Sequence, residues 1–281
     1  MTDAVIVKYH SLKTADGTES NDRIASLCIN RPSSANAFSG DILVAISNEL
    51  KNIASDKTVR VLLFQSIGKH FSAGADLNWM KESAKTGYEN NFNEAKKLTA
   101  MFEQLSQMPM PTIAVVKGAA YGGAVGIVAC CDYAAALDSA KLCLSEARVG
   151  LIPAVILPYL SRKMNQGQLR RFTLSAKVFG GQEAMDCGLI QAVQDSDSIN
   201  AWLLDEVNRL ISASPEAQTA YKALHAQVLS DSNAQSDLTC ESIAKIRASD
   251  MGQEGLASFF EKRKPSWNLE IDLKSVLFEH P

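Results

Sequence analysis

The chain reads as an α/β fold with an all-helical tail, and three observations predict it. Short apolar runs of strand length recur through roughly the first two hundred residues. Stretches with apolar residues at helical spacing fill the gaps, and strand alternating with helix marks an α/β core. No convincing strand follows Val193, and from Ile199 onward helix follows helix.

Taken in order, the strand candidates are residues 23–29, 59–67 and 112–116, with 141–144 as a further one. The first helix, 41–54, puts Ile42, Ala45, Ile46, Leu50 and Ile53 on one face. The second, 91–108, does the same with Ala95, Leu98, Met101, Phe102 and Leu105. The tail contributes helices over 201–213, 215–229 and 236–249, then a last one over 253–262 that stops before Pro265. No internal sequence repeat is visible, but similar strand-turn-helix units follow one another, as in a spiral of repeated structural turns. The chain divides near residue 200.

Composition limits the function. A length of 281 residues with 46% hydrophobic content supports one large core, or a core and a modest second unit. A net charge of -3 leaves no positive excess to neutralise nucleic acid or an anionic membrane, so a small-molecule partner is expected. The apolar stretch between Lys117 and Asp132 is shorter than the ~20 residues a bilayer needs and is broken by glycines. The first nine residues lack the basic and apolar regions of a secretory signal, which suggests a cytoplasmic location. Six cysteines show neither a C-x-x-C pair nor a zinc-finger spacing, so they read as buried reduced thiols and no metal is expected.

Three segments carry possible chemistry. In the first, Gly68 to Leu77, small residues at 72–75 let a ligand approach the main chain, and Asp76 is placed to cap a helix starting near Leu77. In the second, Val116 to Gly126, a strand runs into glycines and an apolar helix, which frees amides at a positive helix end. Its spacing is neither G-x-G-x-x-G nor G-x-x-x-x-G-K-[ST], which disfavours a nucleotide. The third, Lys141 to Pro153, holds Glu146 between an apolar strand and a turn, where partial burial would raise its pKa into a range useful for proton transfer. His70 reads as an exposed turn histidine, and Cys130 and Cys131 as core packing.

In order and spacing these segments resemble the crotonase (enoyl-CoA hydratase/isomerase) superfamily from residue 23 to about 194. The landmarks are Arg31-Pro32, Ala35-Asn36-Ala37, Phe71 to Leu77, Gly122-Gly123, Cys131-Asp132, Glu146, Gly150 to Pro153 and Ala184 to Ile190. The resemblance implies a spiral of β-β-α turns over 1–198 and a C-terminal helical trimerisation region over 199–281, assembled as a trimer or a dimer of trimers. It implies an oxyanion hole made by the N–H groups of Ala75 and Gly123, with Glu146 as acid/base. Coenzyme A would be part of the substrate and no separate cofactor is needed. Its adenine and pantetheine would lie along Ala35, Ala37, Ala73, Asp76, Leu77 and Asn78, beside Gly122, with Lys262 and Lys264 at the phosphates.

One departure matters. Where two-glutamate hydratases of the family carry their first glutamate, this chain has Gly126. Glu146 would then act alone, either protonating the α-carbon while water adds at the β-carbon, or moving a proton between α- and γ-carbons as an isomerase. An inactive CoA-binding homologue is a third reading. Around Gly122 to Gly126 and Leu144 to Ile156 the resemblance is to bacterial methylglutaconyl-CoA hydratases, which favours hydration. Gly126 would leave room for a branched acidic acyl group, which Arg148 could pair with, although a structural salt bridge is the better expectation for that arginine.

Overall fold

The structure, a computed structural model, describes residues 4–14, 16–83, 85–230, 235–271 and 276. Strands β1 (Val5–Thr14) and β2 (Glu19–Ile29) pair antiparallel around a turn in which Gly17 has φ +86°. Helix α1 (Gly40–Ser55), β3 (Val59–Ser66), α2 (Leu77–Ser83), α3 (Gly87–Ser106) and β4 (Thr112–Val116) follow. Next come β5 (Ala119–Tyr121), α4 (Gly123–Cys130), β6 (Tyr133–Leu137), β7 (Lys141–Cys143), α5 (Leu157–Lys163) and α6 (Gln166–Ser175). After β8 (Phe179–Gly180), α7 (Gly181–Asp186) and β9 (Ala192–Gln194), the tail runs α8 (Ile199–Ser212), α9 (Pro215–Ser230), α10 (Gln235–Ala248), α11 (Asp250–Glu261) and β10 (Leu269–Glu270).

The strands sort into a seven-stranded sheet, β10-β1-β2-β3-β4-β6-β9, and a three-stranded sheet, β5-β7-β8. From β2 to β9 the larger sheet is parallel. The chain leaves it at β4, visits the small sheet as β5, passes through α4 and returns as β6 before stepping out again as β7. That circuit is one β-β-α turn, and its repetition is the expected spiral.

Every residue of β3 is buried, as a parallel strand covered on both faces must be. Its side chains alternate between two clusters. Leu62 and Phe64 face the main core with Ile46, Leu50 and Phe102, while Val61 and Leu63 face a second cluster holding Ile199, Leu203, Val207 and Ile211 of α8. Helix α8, just beyond the expected division near residue 200, thus covers the sheet with its apolar face. The expectation of no strand beyond Val193 is corrected, because β10 returns to pair with β1 through Lys13–Glu270 and Thr14–Leu269.

Polar side chains fasten the tail. Arg60, 3% exposed, donates to Asp22 at 3.0 Å and to the carbonyls of Ile211, Ala213 and Trp267 at 3.2, 3.1 and 3.3 Å. Lys222 on α9 reaches Asp132 Oδ2 at 2.5 Å and the Met110 carbonyl at 2.9 Å. Beyond these ties, α9 to α11 leave Tyr221, Leu229, Ile243, Phe259 and Phe260 exposed. Cys130 and Cys131 lie in the main core. Among the described residues no helix is long and apolar enough to cross a membrane, and no group of His, Cys, Asp and Glu could hold a metal ion.

Candidate active site

The site grows from two main-chain segments laid side by side. Residues 70–72 run along 117–121: Phe71 N donates to Lys117 O at 2.7 Å, Ser72 N to Ala119 O at 2.9 Å, and Tyr121 N to Ser72 O at 3.0 Å. A third strand of backbone joins them, since Ala73 N donates to Ala35 O at 2.9 Å, Phe38 N to Gly74 O and Asp76 N to Phe38 O, both at 2.7 Å. Gly74 O and Asp76 N both turn to Phe38, so the Ala75 N–H points the other way. Gly74 has φ +92°, and a Cβ there would stand 3.0 Å from Tyr121 O, so close approach of the two segments requires glycine.

The second amide comes from a helix start. Gly122, at φ +55° and ψ -121°, caps α4, and the Gly123 N–H is among the first-turn donors that an α-helix leaves without an internal acceptor. Neither Ala75 N nor Gly123 N donates a hydrogen bond among the described residues. Two free N–H groups flank the crossing of the segments, one at a positive helix end.

Glu146 completes the arrangement. Pairing of Tyr121 with Cys143 brings β7 beside the second segment, and Gly122 N donates to Cys143 O at 2.9 Å. A short helical turn, Glu146–Val149, then folds the carboxylate back over Gly122, with Oε1 3.2 Å from where a Cβ on that glycine would stand. Oε2 is buried and has no hydrogen-bond partner among the described residues. Burial raises the Glu146 pKa, opposed by a hydrogen bond from its own N–H. A carboxylate with one unpartnered oxygen, one residue from a free amide donor, is suited to carry a proton beside an anion site.

The family model described as enoyl-CoA hydratase/isomerase matches residues 19–270. The chain belongs to the enoyl-CoA hydratase/isomerase family. A mitochondrial methylglutaconyl-CoA hydratase of Mus musculus is 31% identical over 90% of this chain and 82% of its own. The 2,3-dehydroadipyl-CoA hydratase of Escherichia coli is 28% identical over 87% and 95%. Among solved structures, an enoyl-CoA hydratase from Shewanella pealeana is 37% identical with a TM-score of 0.83, covering 92% of this chain and 95% of that one.

Within this family member the predicted ligand residues fall into two groups. The structure brings Ala35, Ala37, Ala73, Asp76, Leu77 and Asn78 onto two adjoining backbone segments, with Ala73, Ala75, Leu77 and Asn78 exposed while Ser72 and Gly74 are buried. Ala37 is largely buried and its carbonyl accepts from Arg31 Nη1 at 2.7 Å. Asp76 serves as a cap, accepting from Asn78 N at 2.9 Å and Trp79 N at 3.3 Å. The tail cations stand apart from this group. Lys262 ends α11 in the left-handed conformation, and Lys264 pairs with Glu270 at 3.0 Å.

Three expectations change. Gly126 opens no room: a Cβ there would stand 2.2 Å from Ile156 Cγ2 and 2.9 Å from Phe102 Cε1, so neighbouring side chains fill the space. Arg148 forms no salt bridge among the described residues; its Nη2 donates to the Ala176 carbonyl at 2.6 Å. His70 is half-buried, and its Nδ1 accepts from Ala119 N at 3.0 Å.

Sequence reasoning passed over Asn36 as a functional support. Fully buried at φ +56°, it accepts from Arg31 N at 2.8 Å and donates to Ile67 O and His70 O at 2.8 and 2.7 Å. Asparagine tolerates that backbone conformation better than most residues. Its place within Ala35-Asn36-Ala37 was the available signal.

Proposed function

We propose that this chain hydrates the 2,3 double bond of an enoyl-CoA thioester, with 3-methylglutaconyl-CoA as substrate. The observation that carries the reaction is the Glu146 carboxylate folded over Gly122, its buried Oε2 without a partner among the described residues, one residue from the free N–H of Gly123 in a site whose other free N–H is that of Ala75. The substrate rests on likeness to methylglutaconyl-CoA hydratases of mouse, rat and human at 30–31% identity.

In the forward step, water oxygen bonds to the β-carbon and passes a proton to the Glu146 carboxylate. The π electrons move toward the thioester, whose oxygen gains the charge held by the two N–H donors. Glu146 then delivers the proton to the α-carbon and regains its starting state, so one carboxylate suffices. Loss of one such donor costs about 2.7–4 kcal/mol in comparable enzymes. Burial favours this cycle by making the carboxylate a stronger base.

Filling of the space at Gly126, the first-glutamate position, by Ile156 favours one further reading, a double-bond isomerase in which Glu146 takes the α-proton and returns it at the γ-carbon. Supporting roles complete the proposal: Lys262 and Lys264 at the CoA phosphates, and self-assembly into a trimer or dimer of trimers through the apolar residues exposed on α9 to α11.

The test is loss of enoyl-thioester absorbance with 3-methylglutaconyl-CoA, crotonyl-CoA and a 3-enoyl-CoA, for the native chain and Glu146→Gln. Hydration of the branched acid that falls about 10²–10⁴-fold in the variant supports the proposal. Conversion of the 3-enoyl substrate alone makes the chain an isomerase, and no turnover of any refutes both.

A further inference from the structure

We infer that His70 is a positioning residue for the oxyanion hole, its imidazole replacing a missing main-chain rung between the two amide-bearing segments. This rests on the function proposed above. The rung is missing for a reason visible in the hydrogen bonds. Ser72 and Ala120 form a parallel bridge, with Tyr121 N bonded to Ser72 O. Two residues earlier the same pattern would bond Ala119 N to His70 O.

That carbonyl is already taken. It accepts from Asn36 Nδ2 at 2.7 Å and from Ser66 Oγ at 3.0 Å. The ladder slips there, and Phe71 N instead of His70 N reaches Lys117 O. Ala119 N, half-buried, would be left without a protein acceptor, which costs up to about 1–3 kcal/mol where water cannot replace it. The imidazole supplies the acceptor from the side chain, at 3.0 Å.

The fit is tight on the other side as well. Gly118 has φ +55°, and a Cβ on it would meet Lys69 O at 2.2 Å and His70 Nδ1 at 2.7 Å. The ring therefore sits directly over a glycine that leaves it no slack. Accepting at Nδ1 requires the tautomer protonated at Nε2 alone. Through Asn36 the same residue is tied to the loop of Ala35 and Ala37. One histidine thus connects three backbone segments, and the catalytic amides lie five residues beyond it at Ala75 and four beyond its partner at Gly123.

The oxyanion gains charge mainly in the transition state, so an error in the spacing of its donors falls on kcat more than on ground-state binding. A misplacement of about 1 Å costs on the order of 10²-fold. The experiment compares native protein with His70→Ala and His70→Asn, whose Oδ1 can stand where Nδ1 stood. Expected are a loss in kcat of about 10–100-fold for His70→Ala, little change in KM, and recovery of most of it in His70→Asn. Nitrogen NMR of the native imidazole should show the proton on Nε2, and Ala119 N–H should exchange faster in His70→Ala. Equal kcat in native and His70→Ala, no recovery in a folded His70→Asn, or a proton on Nδ1 would overturn the inference and leave the proposed function intact. A native chain inactive on every thioester would overturn the function and this role together, whatever the spectrum showed.

Discussion

The cost of Gly126→Ala is expected to depend on the residue it faces. The new methyl would lie 2.2 Å from Ile156 Cγ2 and 2.9 Å from both Ile156 Cβ and Phe102 Cε1. Overpacking of a filled core costs about 1–3 kcal/mol, and a contact this short belongs at the upper end. Alanine regains about 0.8–1.0 kcal/mol over glycine inside a helix. The net effect in the native background is therefore destabilisation by about 2 kcal/mol. Ile156, 3% exposed, costs about 2–5 kcal/mol when cut to alanine, because a cavity remains. In that background the 2.2 Å contact is gone, while those with the Cβ of residue 156 and with Phe102 Cε1 remain, so the lower end of the overpacking cost offsets the helix gain and Gly126→Ala should be about neutral. Urea unfolding of the four proteins at one fixed protein concentration measures the cycle, whose coupling should reach roughly 2 kcal/mol. An equal cost of Gly126→Ala in both backgrounds would show that the Ile156 side chain does not occupy that space.

Other expectations follow from the same geometry. Glu146 has its pKa raised by burial, so ionisation costs native stability as pH rises through that pKa. Glu146→Gln should be inactive yet more stable than native at neutral pH, with the advantage gone below about pH 4, where an unfolded glutamate is itself protonated; melting at pH 7 and pH 4 checks this. Asn36→Ala should destabilise by about 2–3 kcal/mol, because it leaves Arg31 N and Ile67 O without this partner and His70 O with Ser66 Oγ alone. Asn36→Asp should fail similarly, since a carboxylate cannot donate to two carbonyls, and denaturant titration compares the two. Five of the six cysteines are buried, so a thiol reagent should modify Cys240 alone in the native protein and all six after unfolding.

What could be read from the sequence follows how locally each feature is determined. Strand β3 and helix α1 carry their own signals, a continuous apolar run and a regular apolar stripe. Strand β6 does not: its Tyr-Ala-Ala-Ala-Leu has no β-branched residue, and it is a strand because β4 and β9 flank it. Strand β1 alternates weakly at a half-exposed edge, and the first turn of α3, at Tyr88 to Asn90, lies outside the helix's apolar stripe. The amides of Ala75 and Gly123 and the carboxylate of Glu146 were reachable by resemblance alone. The bonds that hold them, His70 to Ala119 and Asn36 to Ile67, span 49 and 31 residues and leave no trace in any window of sequence. The room imagined at Gly126 failed for the same reason, since Ile156 comes thirty positions later by a path only the fold reveals.

In the proposed mechanism, placing the anion's donors on the main chain divides what mutation can reach. Almost any codon change at residue 75 or 123 preserves an N–H, proline excepted, so the charge-holding half of this catalyst is sheltered from side-chain drift. The proton-moving half hangs on one side chain, Glu146. A lineage built on this scaffold can exchange or relocate its carboxylates and acquire a new reaction on thioesters, while the means of steadying an enolate passes unchanged from parent to descendant.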